Sequence, residues 1–212
     1  MLTLQRYIDK LLTLHDHVCP RQVLGLRMGL YAGELLDLDL PQADKRLFTF
    51  VENDGCFADG VMVATGCSLG HRTMHLMDFG KVGATFVDTQ TSSAIRIAPR
   101  STSRTAATAL FPDIENRWQA QLRGYQVMPV SDLLTAMPVV LTLSLEKLIS
   151  KPSQRTVCEI CGEEITNERE IAVDGQLLCQ SCAGDSYYRY CDQMEAANSC
   201  HQSLLLLDSS KS

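Results

Sequence analysis

Cys158-Glu159-Ile160-Cys161 and Cys179-Gln180-Ser181-Cys182 decide how this chain is organised. The two Cys-x-x-Cys pairs lie seventeen residues apart. Each offers two thiolates from one tight turn, and two such turns close the tetrahedron that Zn²⁺ prefers. Gly162 directly follows the first pair and can take the positive φ that lets backbone amides point at sulfur. Val173-Asp174-Gly175-Gln176 reads as a strand-to-strand turn leading into the second pair. A lone Cys-x-x-Cys points to redox chemistry, whereas a spaced pair points to metal. Two disulfides or a redox dithiol therefore rank below structural zinc on Cys158, Cys161, Cys179 and Cys182.

Working outward, residues 1–150 read as one α+β core domain and 151–157 as a linker, Lys151-Pro152-Ser153-Gln154-Arg155-Thr156 forming most of it. Residues 158–190 form the zinc module and 191–212 a tail. A hydrophobic fraction of 45% is enough for a core without help from disulfides. Met1-Leu2-Thr3-Leu4-Gln5-Arg6 turns polar too early for a signal peptide, and the apolar stretch 133–145 is too short to span a bilayer. The expectation is a cytoplasmic protein, off the membrane, with its nine cysteines reduced or on metal. Net charge is −6, and from Cys158 onward three basic residues face ten acidic ones. A zinc module that binds nucleic acid needs a basic face to neutralise phosphates. This acidic one reads as structural or protein-contacting, with no nucleic-acid partner.

Hydrophobic spacing predicts an amphipathic helix over 2–14 and a second over Pro20–Leu36, with Pro20 at the first helical position and Cys19 at the cap. Gly25, Gly29, Ala32 and Gly33 on this second helix invite close packing. Leu47–Val51 reads as a strand and 56–64 as a short helix ended by Gly66. Residues 81–89 and 94–98 read as a hairpin. Beyond it the pattern predicts one helix over 105–123 anchored by Trp118, a short helix over 132–137, a strand over 139–143, a helical turn over 145–149, and a helix over 187–197.

A second constellation lies upstream: His15-x-His17-x-Cys19-Pro20, Cys56-x-x-Asp59-Gly60 and Gly66-Cys67-Ser68-x-Gly70-His71. Any one of these cysteines alone reads as a small buried hydrophobe. Their grouping with His, Asp and Gly at element breaks points to chemistry. Cys19 and Cys56 sit where helices begin, and a helix N-terminus lowers a thiol's pKa. His71 and His75 have a chelating spacing without a clear helix to support it, and Lys81 alone would read as a surface lysine.

Together with Asp78-Phe79-Gly80-Lys81, these motifs resemble the formylmethanofuran dehydrogenase E-subunit family, over nearly the whole chain up to about Cys182. The resemblance implies an α+β core with a mixed or antiparallel sheet, followed by a small zinc-ribbon or treble-clef module. It implies a groove where His17, Cys19, Cys56 and Cys67 converge with Asp59 and Lys81 nearby. It also implies a homodimer, with the possibility of partner subunits in a larger enzyme complex. Arg21 stands where many relatives carry Gly, and Ser68 where they carry Thr. Cys191, Cys200 and His201 match no motif of the family.

Three functions compete. In the first, the core holds an open metal site on His17, Cys19, Cys56 and Cys67, with zinc or another transition metal and with Asp59 or His15 as proton carrier or to orient a ligand, accessory to a molybdenum or tungsten enzyme or to metal metabolism. In the second, the chain is an enzyme whose nucleophile is Cys19 or Cys56, activated by a helix N-terminus and by His17 or Lys81. In the third, it is a non-catalytic scaffold protein within a larger complex. Among the classes that the sequence excludes are Walker and Rossmann phosphate loops.

Overall fold

Five strands build the core sheet: β1 (Leu47–Val51), β2 (Met74–Leu76), β3 (Ala84–Asp88), β4 (Ala94–Pro99) and β5 (Leu134–Pro138), in the order β2-β1-β3-β4-β5. β1 pairs parallel with β2, and the other neighbours are antiparallel. The sheet is therefore mixed, and with its helices it is the expected α+β core. These helices are α1 (Leu4–Leu11), α2 (Pro20–Leu36), α3 (Cys56–Thr65), α4 (Ser103–Ala109), α5 (Arg117–Val127), α6 (Val130–Leu133) and α7 (Leu145–Leu148). The computed structural model describes residues 4–149 and 154–189, and the chain divides into two compact units, 1–149 and 150–212. Among the described residues no helix is long and apolar enough to cross a membrane.

Every residue of β1 and β3 is buried, so both sheet faces are covered. Alternation assigns the faces. Leu47, Val51, Phe86 and Ile97 pack with Val23 and Met28 of α2 and Phe57 and Val61 of α3. Phe48, Phe50, Val87 and Ala94 face the other way, under Val139, Leu141 and Leu143.

The pairing of α2 with α3 sets the site. A Cβ on Gly25 would lie 2.3 Å from the Phe57 carbonyl oxygen, and one on Gly60 would lie 2.2 Å from that of Gln22. Further along, Gly29 meets Ala64 and Thr65. Contacts advance in step along both helices, so the two run in the same direction with their N-termini side by side. Only glycine lets backbones come this close, and the packing offsets its cost in helix propensity.

Elsewhere the structure corrects the pattern. The helix expected over 105–123 is two, α4 and α5. Pro112 cannot supply an amide to a continuous helix, and Asn116 caps α5 by accepting from the amides of Trp118 and Gln119. The helix expected over 132–137 ends at Leu133, where the chain becomes β5 on the free edge of β4. The strand expected over 139–143 is not one: after Pro138 the chain leaves the edge and lays Val139, Leu141 and Leu143 flat on the sheet. Trp118, expected as the anchor, is 43% exposed and joins none of the buried apolar clusters of the described residues.

The second unit is two hairpins, β6 (Arg155–Val157) with β7 (Glu164–Thr166) and β8 (Ile171–Val173) with β9 (Gln176–Leu178). Asp174 and Gly175 both have positive φ (50° and 85°), as a tight two-residue hairpin turn requires. No helix begins between Tyr187 and Arg189. The remainder of the helix expected over 187–197, with Cys191, Cys200 and His201, lies outside the described residues.

Candidate functional site

The turn joining β6 to β7 carries Cys158 and Cys161, and β9 delivers Cys179 and Cys182. The four sulfurs lie within 4.8 Å of one another, with 3.9 Å between Cys161 Sγ and Cys179 Sγ. A tetrahedron with Zn–S near 2.3 Å has S···S edges of about 3.8 Å, so the donor set fits zinc. Gly162 takes φ 74°, as the knuckle requires. The amide of Cys179 donates to Cys158 Sγ (3.3 Å) and that of Cys182 to Cys179 Sγ (3.4 Å). Backbone amides of Cys161 and Cys179 draw the Cys158 thiol down to about 6. Cys182 is pushed up to about 12, chiefly by Cys179 against it. Four thiols so crowded ionise together only around a cation, which coordination supplies. Cys158, Ile165 and Leu178 form the small apolar centre beneath the sulfurs.

In the core, Cys19 is the N-cap of α2 and Cys56 the first residue of α3. Cys19 forms a capping box with Gln22: its Sγ accepts from the Gln22 amide (3.4 Å), and its own amide donates to Gln22 Oε1 (2.7 Å). The parallel pairing of α2 and α3 brings the Cys56 side chain against Cys19. The helix start was expected to lower the Cys19 thiol. Instead it is raised, because burial outweighs the amide of Gln22 and Cys56 opposes its ionisation further.

Both thiols line a cleft of about 730 Å³, together with Arg21, Arg100, Arg104 and Trp118. His17 sits by the same wall, its ring centroid 6.5 Å from that of Trp118. His15 Nε2 and Asp59 Oδ2 are 2.8 Å apart, which ties the loop before α2 to the first turns of α3. Two expected members are elsewhere. Cys67 follows the C-terminus of α3, ten residues of helix or about 15 Å from Cys56, and donates its thiol to the Leu47 carbonyl at 3.2 Å. Lys81 lines a separate pocket of about 420 Å³ with Phe50, Glu52, Thr85 and Arg96, on the sheet face away from α2 and α3. Among the described residues, the four module cysteines are the one group of three or more ligand atoms close enough to hold an ion. The core offers a thiol pair with a histidine by the same wall.

The arginines and Trp118 were not foreseen as site residues. The signal available was Arg100-Ser101-Thr102-Ser103-Arg104, a run of small hydroxyl residues closed at both ends by arginine.

Comparison with known proteins places this architecture. The family described as FmdE, molybdenum formylmethanofuran dehydrogenase operon, matches residues 14–149, and the prokaryotic dksA/traR C4-type zinc finger matches 153–188. A crystal structure of a tungsten formylmethanofuran dehydrogenase FmdE-like protein from Syntrophus aciditrophicus shares the fold. Its TM-score is 0.57 at 20% identity, covering 88% of this chain and 95% of that one. A probable S-adenosyl-L-methionine-binding protein of Archaeoglobus fulgidus is 28% identical over 194 residues, 82% of this chain and 51% of that one. The chain thus spans about half the length of that relative. With well over half of its residues matched, the chain belongs to the FmdE family and carries a C-terminal C4-type zinc finger.

Proposed function

We propose that this FmdE-family chain is a metal-binding protein with two distinct sites, a structural zinc in the C-terminal module and a second, exchangeable metal in the core cleft. The observation that carries the reading is the pair of thiols from two helix starts, side by side on the wall of an open cleft. Cys19 and Cys56 would hold the metal, with His17 supplying an imidazole. A soft N/S donor set of this kind suits zinc, nickel or cuprous ions. Cys67 stands outside the set. A bound metal would supply Lewis acidity, and the cleft leaves room for a further ligand. The role that fits is accessory to a molybdenum or tungsten enzyme or to metal metabolism. The raised Cys19 thiol argues against Cys19 itself as a free nucleophile, which needs the opposite shift.

A second reading takes its support from the Archaeoglobus relative, whose name makes S-adenosylmethionine a candidate occupant of the cleft.

The test is thiol labelling of the full-length protein, read residue by residue by mass spectrometry. Cys56, which is only half-buried, should resist alkylation until a strong chelator is added and then label readily. Equal labelling with and without chelator, in protein still carrying module zinc, would remove the core metal from the account.

A further inference from the structure

The cleft has a charge of its own. Among the described residues that line it, three are arginines (Arg21, Arg100 and Arg104) and none is acidic, in a chain of net charge −6. Other arginines of the core have structural work. Arg46 pairs with Asp88 and Arg96 with Glu52, while Arg27 donates to the carbonyls of Tyr125, Gln126 and Met128. Among the described residues, the side chains of Arg21 and Arg104 make no hydrogen bond or ion pair, and Arg100 uses only its Nε, on the Ser131 carbonyl at 2.6 Å. Unpaired arginines are common on protein surfaces. Here they share the walls of one cavity with the thiol pair and two aromatic rings. Tyr125 is buried beneath the cleft, and Trp118 presents an indole that packs into no core. Guanidinium forks recognise phosphate oxygens, and an open indole face recognises a flat ring. A cleft of about 730 Å³ falls within the usual range for small-molecule sites, roughly 300–1,000 Å³.

We infer that this cleft binds a nucleotide: a planar base against Trp118, its phosphates on Arg21, Arg100 and Arg104, with one end at Cys19 and Cys56. The inference names an occupant for the proposed metal cleft and rests on that reading only in taking this cleft as the working site. Phosphate is required as well as the ring. The parallel N-termini of α2 and α3 add favourable potential for an anion at the thiol end. A sulfonium ligand such as S-adenosylmethionine brings positive charge toward three guanidinium groups and is disfavoured.

The protein supplies its own probe, because Trp118 is the one tryptophan in the chain. Titration of full-length protein with ADP should quench its fluorescence saturably. Adenosine and inorganic pyrophosphate should each bind at least about tenfold more weakly, since each keeps only half of the recognition. Arg104→Glu and Arg21→Glu should each weaken ADP about tenfold or more, while Arg123→Glu, on an exposed position of α5 outside the cleft, should leave it unchanged. Isothermal calorimetry of Trp118→Ala should show the loss of the ring contribution. Protein stripped of core metal by a strong chelator should keep ADP affinity within about threefold, so that failure of the metal reading and failure of this one are separable. The inference is overturned if ADP leaves the fluorescence unchanged, if adenosine binds as well as ADP, if neither cleft arginine matters, or if S-adenosylmethionine binds more tightly than ADP.

Discussion

Gly60→Ala is the substitution that most sharply probes how the cleft is built. Its Cβ would lie 2.2 Å from the Gln22 carbonyl oxygen and 3.0 Å from Gly25 Cα, against 3.4 Å for the start of ordinary contact. Every atom it meets is backbone, so no side chain can swing aside. The N-terminal halves of α2 and α3 must separate by about 1 Å. Overpacking of this kind costs about 3 kcal/mol or more, and alanine returns about 1 kcal/mol through helix propensity. The net expectation is a loss of about 2 kcal/mol, or about 4–8 °C in Tm for a unit of this size. Urea denaturation followed by circular dichroism measures it, with Gly70→Ala, whose nearest neighbour would be 4.0 Å away, as control. Because the same separation moves Cys19 from Cys56, core metal should fall while module zinc stays. A Gly60→Ala protein as stable as its parent, or more so, would refute the close parallel pairing and the thiol pair with it.

Two further outcomes follow from the core. Asp88, held at about 2 chiefly by its hydrogen bonds from Arg46, has a folded pKa below its ordinary 3.8. A depressed carboxyl stabilises the fold above its unfolded pKa and loses that contribution as pH falls through the folded value. Denaturation midpoints should therefore drop between about pH 4 and 2 by an amount equivalent to about 1–2 kcal/mol, allowing for the half-open guanidinium, and Asp88→Asn should flatten the drop. Arg27→Ala strips three carbonyls at the end of α5 of their donor and should cost about 2–4 kcal/mol in urea denaturation; Arg27→Lys should recover only part, since an ammonium cannot span all three.

The elements that could be read from sequence are those fixed by local chemistry. Pro20 and Cys19 set the start of α2, Gly66 stops α3 in a left-handed cap, and Leu47–Val51 alternates between two covered faces. What stayed hidden depends on partners distant in sequence. β2 is three residues long and pairs parallel with β1, so no hairpin turn announces it. Residues 139–143 have real alternation, but their partner is the face of the sheet and not a neighbouring strand. Pro112 and Asn116 did announce the break between α4 and α5. The candidate site divides in the same way. The zinc finger is legible from spacing alone. The adjacency of Cys19 and Cys56 follows from Gly25 and Gly60 once the two helices are known to pair. The distance of Cys67 was itself readable, since a ten-residue helix keeps its ends apart; the resemblance drew the two cysteines together. Lys81 is carried away by the turn at Asp78 and Gly80, both with positive φ, whose exit direction no spacing rule gives.

Metal content per chain, measured by elemental analysis on tag-free protein purified without chelator, tests the two-site account most directly. Wild type should hold two metals. Cys158→Ser with Cys161→Ser should lose only the module zinc, and Cys56→Ser only the core metal. One zinc per wild-type chain, falling to none when Cys158 and Cys161 are replaced and unchanged in Cys56→Ser, would contradict the account and leave the cleft without a metal.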